Sequence, residues 1–272
     1  MCKMFNRKSI YSLFRLGHLL CWYLLVMFLF TSCSDVIEYS PFDTLVRQRE
    51  SNRKNINKID ATSVDTLVFV FMADSHIFYD ELKDAVACIN ADPSVRFVVV
   101  GGDITSLGLA QEYEWYYEIM KKLKVPFVTA IGNHDYLSNG QKVYNKMFGP
   151  TNFTFGVGNY LFIVFDDVVW ENNNRSPEFS WLSRQLSDTV HFKLLVTHIP
   201  PWSDQLEHSY QPVFKQILSD GKPLVALFGH THAFDSGQYT GVTYAVTGTI
   251  EDRTYLKVTL SGNIVNIQKI DY

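Results

Sequence analysis

The sequence predicts an α/β fold in which two packed β-sheets are flanked by helices, and three observations lead to it. Apolar runs of strand length occur at residues 67–73, 97–100, 127–131, 160–165, 192–196 and 224–228. They are nearly unbroken rather than alternating, the pattern of strands buried on both faces. Segments of helical periodicity separate several of them, at residues 79–90, 109–123, 141–148, 178–186 and 208–218. The C-terminal part differs. Residues 239–246, 253–260 and 263–270 read as strands with no helix between them, and Ser261-Gly262-Asn263 reads as a hairpin turn. Strand–helix alternation closed by a meander fits two sheets in one domain over residues 66–272.

The segments before that domain read differently. Lys3, Arg7, Lys8 and Arg15 form a basic start without acidic residues, followed by an unbroken apolar run over residues 19–30. A run of this length is short for a membrane span and suits the core of a signal peptide. Thr31-Ser32-Cys33 then resembles the lipobox of bacterial lipoproteins, with Phe30 where an aliphatic residue is commoner. The expectation is a signal peptide over 1–33, lipid on Cys33, and a domain held outside the cytoplasm on a bacterial membrane. Ordinary secretory cleavage and a retained anchor helix are the alternatives. Residues 34–65 read as a polar tether with one helix over 44–59, either solvated or docked on the domain.

Cys2 and Cys21 fall in the signal, and Cys88 lies in a helical pattern as a structural thiol, so no disulfide framework is expected. The signal holds four of the 24 basic residues and none of the 28 acidic ones, leaving the remainder at −8. That balance argues against a large nucleic-acid surface. It leaves phosphate chemistry open, because bound cations reverse the local field.

The chemistry lies in the short loops at the strand ends. Asp74-Ser75-His76, Gly101-Gly102-Asp103, Gly132-Asn133-His134-Asp135, Thr197-His198 and Gly229-His230-Thr231-His232 all stand directly after an apolar run. In open α/β sheets the ligand site lies beyond the carboxyl ends of the strands, so these loops converge on one cleft. Singly they are weak: Gly-Asp commonly marks a turn, and a lone His198 would more often be a satisfied core residue. Together they offer carboxylates, an amide oxygen and imidazoles, a set that suits borderline transition ions (Mn, Fe or Zn) better than the all-oxygen shells of magnesium or calcium. One zinc site needs only three or four such groups. The surplus points to a pair of ions ~3.5–4 Å apart, the spacing used for in-line attack at phosphorus.

This ordered set, D-x-H, G-D, G-N-H-D, H and G-H-x-H, resembles that of the calcineurin-like metallophosphoesterases, over residues 66–272. The resemblance implies a four-layer αββα sandwich of two mixed β-sheets and a dinuclear centre. Asp74, His76 and His232 would hold one ion, Asn133, His198 and His230 the other, and Asp103 would bridge them. It further implies attack by a metal-bridging hydroxide on a phosphodiester or phosphomonoester. His134 would act as general acid, oriented by Asp103 or Asp135. Purple acid phosphatases carry a tyrosine where Ser106 stands, and lipid A precursor hydrolases an arginine where His134 stands. The motif set is most similar to the class III cyclic-nucleotide phosphodiesterase group.

Trp202 after Pro200-Pro201 could stack on a substrate, and Arg175 after three asparagines could meet a phosphate; turn and surface loop are their plainer readings. Tyr113, Trp115, Tyr116 and Tyr117 lie in a helical pattern and read as packing. His191 and His208 read as structural or surface residues. The expected partners are a small phosphate-ester substrate and a membrane through the lipid anchor. An extracytoplasmic nuclease and a non-catalytic metal-dependent binding protein are the competing functions.

Overall fold

The computed structural model describes residues 7–31, 40, 42–60, 62 and 65–272. Residues 1–41 and Phe42–Tyr272 form separate compact units. In the first, Arg7–Thr31 is helix α1. Among the described residues no helix is long and apolar enough to cross a membrane. Cys33 lies outside the described residues.

In the second unit, one sheet contains β1 (Leu67–Met72), β2 (Val98–Val100), β3 (Phe127–Thr129), β10 (Thr254–Ser261) and β11 (Ile264–Asp271). Its order is β11-β10-β1-β2-β3, with β1, β2 and β3 parallel and β10 antiparallel to both neighbours. The other contains β4 (Phe153–Val157), β5 (Tyr160–Val164), β6 (Phe192–Val196), β7 (Val225–Phe228), β8 (Asp235–Tyr239) and β9 (Val242–Val246). Its order is β4-β5-β6-β7-β9-β8, with a parallel centre and antiparallel edges.

The unbroken apolar runs are explained by burial on both faces. Phe69, Phe71, Val99, Phe162, Val164, Leu194, Val196 and Leu227 form the core between the sheets. Their alternating partners Val70, Met72, Val100, Ile163, Leu195 and Phe228 face outward. They meet helices α3 (Tyr79–Ala91), α4 (Ala110–Met120), α5 (Gly140–Met147), α6 (Phe179–Leu186) and α7 (Gln211–Gly221). Tyr113 and Tyr116 of α4 are fully buried in this outer layer, whereas Trp115 is half exposed. The result is a four-layer arrangement of helices, sheet, sheet and helices.

Two sequence expectations change. The strand expected over 239–246 is shorter, β9 over Val242–Val246, and it forms a hairpin with β8, turned at Thr240 and Gly241, both at positive φ. Of the two readings of residues 34–65, solvated or docked, the described part from Phe42 belongs to the compact unit, which begins there rather than near residue 66. Helix α2 (Ser51–Ile56) is shorter than the 44–59 expected and lies against β3. Strand β3 is the edge of its sheet, and an open edge leaves unpaired backbone groups. Asn52 satisfies two of them: its Nδ2 donates to the Thr129 carbonyl at 2.8 Å and its Oδ1 accepts from the Thr129 N–H at 2.9 Å. Asn55 donates to the Phe127 carbonyl at 2.9 Å. Side-chain amides here do the work of a missing strand.

Candidate metal centre

The parallel strands of both sheets end at one place. Asp74 and His76 follow β1, Asp103 follows β2, Asn133 and His134 follow β3, His198 follows β6, and His230 and His232 follow β7. The two sheets are tied there by a bridge between Ala73 and Thr249, and the Thr249 hydroxyl donates to the Asp74 carbonyl at 2.8 Å.

The backbone at this place is strained. Asp74, His76, Asp103, His230 and His232 all have positive φ, between 42° and 72°. Left-handed backbone costs a residue with a Cβ of order 1–3 kcal/mol and persists where its surroundings over-determine it, most often at functional sites. Glycines allow the loops to close in. A Cβ on Gly102 would lie 2.7 Å from the Gly132 nitrogen and 2.9 Å from His198 Nδ1, and one on Gly132 would run into the Asp103 carboxylate.

Two clusters of donor atoms result. Asp74, His76 and His232 form one, and Asp103, His198 and His230 the other, with the donor atoms of each within 4.8 Å of one another. In the first, His232 Nε2 is 3.4 Å from Asp74 Oδ1 and from His76 Nε2. In the second, Asn133 Oδ1 is 3.1 Å from His198 Nε2 and 3.2 Å from His230 Nδ1. Asp103 Oδ2 stands 3.2 Å from His198 Nε2 and 3.8 Å from His76 Nε2, so it faces both clusters. Donors ~2.1 Å from a common ion stand roughly 3–3.5 Å apart, which these separations match except for the longer one from Asp103 to His76.

The imidazoles are held in one orientation. His198 Nδ1 donates to the Gly101 carbonyl at 2.9 Å and His76 Nδ1 to the Thr105 carbonyl at 3.2 Å, turning each Nε2 toward the cluster. Burial draws His198 down, but the Asp103 carboxylate beside it more than offsets this and lifts it to about 10. Burial likewise raises Asp103, yet His198 holds it at about 2. Burial and the His198 charge push His230 down to about 4, leaving it neutral. Negative potential strong enough to lift a buried imidazole this far also favours a bound cation.

His134 lies beside the clusters, its ring edge-on to His76 at 4.7 Å. Its Nδ1 donates to the Ser106 carbonyl at 2.8 Å, which leaves Nε2 free. This corrects the expectation that Asp103 or Asp135 orients the ring. Asp103 Oδ1 takes the His134 backbone N–H instead, at 2.9 Å. Asp135 is fully buried and accepts from the Gly132, Ile104 and Thr105 amides and the Thr105 hydroxyl. Among the described residues its carboxylate makes no hydrogen bond to the His134 ring, whose Nδ1 is taken by Ser106.

The two substrate candidates have neighbours of their own. Trp202 packs against Phe228, Tyr239 and Tyr244, with ring centroids 5.5, 4.8 and 4.6 Å away. Arg175 faces Glu178 at 3.8 Å and lines a cavity of about 850 Å³ with Arg53, Gln141, Asn152 and Trp181, which none of the donor residues lines. Sequence reasoning also missed Glu171. Its Oε1 accepts from Asn133 Nδ2 at 3.2 Å, which fixes the amide with Oδ1 toward the second cluster. Only its position in the β5–α6 loop, facing the strand-end loops, could have suggested it.

Residues 67–234 match the calcineurin-like phosphoesterase family, and the chain belongs to it. Among curated proteins it is 29% identical over 169 residues to a probable glycerophosphodiester phosphodiesterase, GpdQ, of Arcobacter nitrofigilis, covering 52% of this chain and 60% of that protein. It is 25% identical over 202 residues to the serine/threonine-protein phosphatase CPPED1 of Pongo abelii, covering 62% and 63%. The chain thus spans about three-fifths of the length of these relatives. Its fold matches that of purple acid phosphatase PPD1 from yellow lupin, with a TM-score of 0.61 at 12% identity, covering 78% of this chain and 52% of that one. The donor set fits the divalent metals that the family uses.

Proposed function

We propose that this chain hydrolyses phosphate esters, diesters or monoesters, at a centre of two divalent ions. The observation that carries the reading is the pair of donor clusters meeting at Asp103, with every motif position filled. Asp74, His76 and His232 would hold one ion and Asn133, His198 and His230 the other, with Asp103 shared. Two such ions supply Lewis-acid charge and a nucleophile usable at neutral pH. The chain's own residues do the rest. His198 and His76, locked by backbone carbonyls, hold the centre rigid. In its imidazolium form, with Nδ1–H held by the Ser106 carbonyl, His134 would give its Nε2 proton to the departing alkoxide and be left neutral, a contribution of typically ~10²–10⁴-fold.

The purified domain, loaded with manganese, tests this against bis-p-nitrophenyl phosphate, p-nitrophenyl phosphate, cyclic nucleotides and single-stranded DNA. Turnover of either nitrophenyl ester is expected. Two ions bound with none of the four substrates turned over would leave a non-catalytic binding protein as the reading. We propose further that the chain is exported and lipidated on Cys33, on the strength of the basic start, the apolar run and Thr31-Ser32-Cys33. A mass spectrum of the native protein without diacylglyceryl modification at Cys33 would reject this.

A further inference from the structure

Four large, exposed apolar side chains lie within one or two residues of the donors or of the residues that hold them. Ile77, 56% exposed, follows His76; Leu107, 54% exposed, follows Ser106, whose carbonyl holds His134. Trp170, 43% exposed, precedes Glu171, the partner of Asn133, and Phe234, 40% exposed, lies two residues after His232. Single exposed apolar residues are ordinary on any surface. These four come from four different strand-end loops, three of which carry donor residues of the one centre, and exposed apolar groups around a few convergent polar ones are what a ligand surface offers.

The same loops are poor in positive charge. Across residues 73–78, 101–109, 130–139, 165–178, 197–210, 229–234 and 247–253 the only lysines or arginines are Arg175 and Arg253. Arg253 is engaged by Asp84 and by the Tyr272 carbonyl, and Arg175 by Glu178 at the separate cavity. Glu171 and Glu207 stand there instead, with the Trp170 indole directed at Glu207 at 3.4 Å. A polyanion needs cations to neutralise charge beyond the reacting phosphate. Among the described residues of these loops, no free cation is offered outside the metal centre.

Resting on the phosphoesterase reading, we propose that Ile77, Leu107, Trp170 and Phe234 seat the hydrocarbon part of an amphiphilic phosphate ester, taken up as a single molecule, whose phosphate lies at the metal centre. The site therefore selects an ester with one apolar substituent and disfavours nucleotides and nucleic acids. Burying one methylene is worth about 0.8 kcal/mol, or roughly fourfold. On a rim that stays partly open the gain is roughly twofold per carbon.

The test uses the full manganese-loaded chain. Methyl, butyl and hexyl p-nitrophenyl phosphates are compared by kcat/KM, and methyl-, butyl- and hexylphosphonate by binding calorimetry, all below micelle-forming concentrations. Both series should rise by roughly tenfold or more from methyl to hexyl. Ile77→Ser/Leu107→Ser/Phe234→Ser should flatten them, whereas Val190→Ser, an exposed apolar position outside these loops, should not. Flat series in the wild-type chain overturn the proposal. So does an effect confined to phosphatidylcholine vesicles, which would make the rim a membrane contact. If phosphonate affinity rises with chain length but no ester is turned over, the catalytic reading fails while the amphiphile site stands.

Discussion

Asp135→Asn separates two roles for a buried carboxylate. As the orienter of His134, Asp135 would affect proton transfer and little else. As the structure has it, the carboxylate ties two loops together. Oδ1 accepts from the Thr105 N–H at 3.0 Å and hydroxyl at 2.8 Å, and Oδ2 from the Gly132 N–H at 3.0 Å and the Ile104 N–H at 3.3 Å. Those amides flank Asp103 and Asn133. An asparagine can keep its oxygen toward Thr105, but its NH₂ then faces the Gly132 and Ile104 donors. Two buried donors lose their acceptor, at about 1–3 kcal/mol each. Burial raises Asp135 to about 7, with the Asp103 charge as the second cause, so its own desolvation cost is relieved in the variant. The net loss should be about 2–4 kcal/mol in urea unfolding, with fewer metal ions retained per chain after gel filtration. A variant as stable as wild type, with two ions bound and only kcat reduced, would refute the positioning role.

Four further outcomes are expected. His134→Ala should keep both ions in metal analysis and lose ~10²–10⁴-fold on esters of poor leaving groups, whereas Asp103→Ala should lose metal; loss of both ions in His134→Ala would reverse the assignment. Glu171→Ala frees the Asn133 amide to turn, and should weaken the second ion by ~10–100-fold in chelator competition while sparing the first, as for other partners of metal ligands. Asn52→Ala strands the Thr129 N–H at the edge of β3, while the Thr129 carbonyl keeps the Tyr144 hydroxyl as a donor, and should cost about 1–3 kcal/mol in denaturant midpoint analysis; a change under about 0.5 kcal/mol would count against α2 as an edge cover. The Lys257 ammonium, followed by Ser94, holds Asp92 down at about 2, below its ordinary range. Its contribution is therefore present above about pH 4 and lost as pH falls toward 2. Asp92→Asn should lower stability at pH 6 by no more than about 1 kcal/mol, the scale of a solvent-open pair, and converge with wild type near pH 2.

Much of the layout was legible because it is local. Runs such as 67–73 and 224–228 are apolar at every position because one side chain faces the other sheet and the next a helix. The donors were legible because each stands one to a few residues beyond such a run. Strand β4 was not, since its alternating exposure and Gly156 leave no apolar run. The sequence leaves Trp202 and Arg175 open between a substrate role and the plainer readings of turn and surface loop. Whether an aromatic ring meets a ligand or Tyr239, and whether an arginine meets a phosphate or Glu178, depends on neighbours the chain order does not name.

Pattern along the chain settles which buried strands exist and which ligating residues they end in, though not the exposed strands β4 and β8, because burial periodicity and turn chemistry act over a few residues. Packing settles how the donors divide into two clusters around Asp103. It also settles that Ser106 rather than Asp135 holds His134, that Glu171 holds Asn133, and that Asn52 and Asn55 close the edge of β3. These are hydrogen bonds between residues 28 to 77 positions apart. Their strength falls away within a fraction of an ångström, so they depend on how two sheets pack and not on any pattern of neighbouring residues.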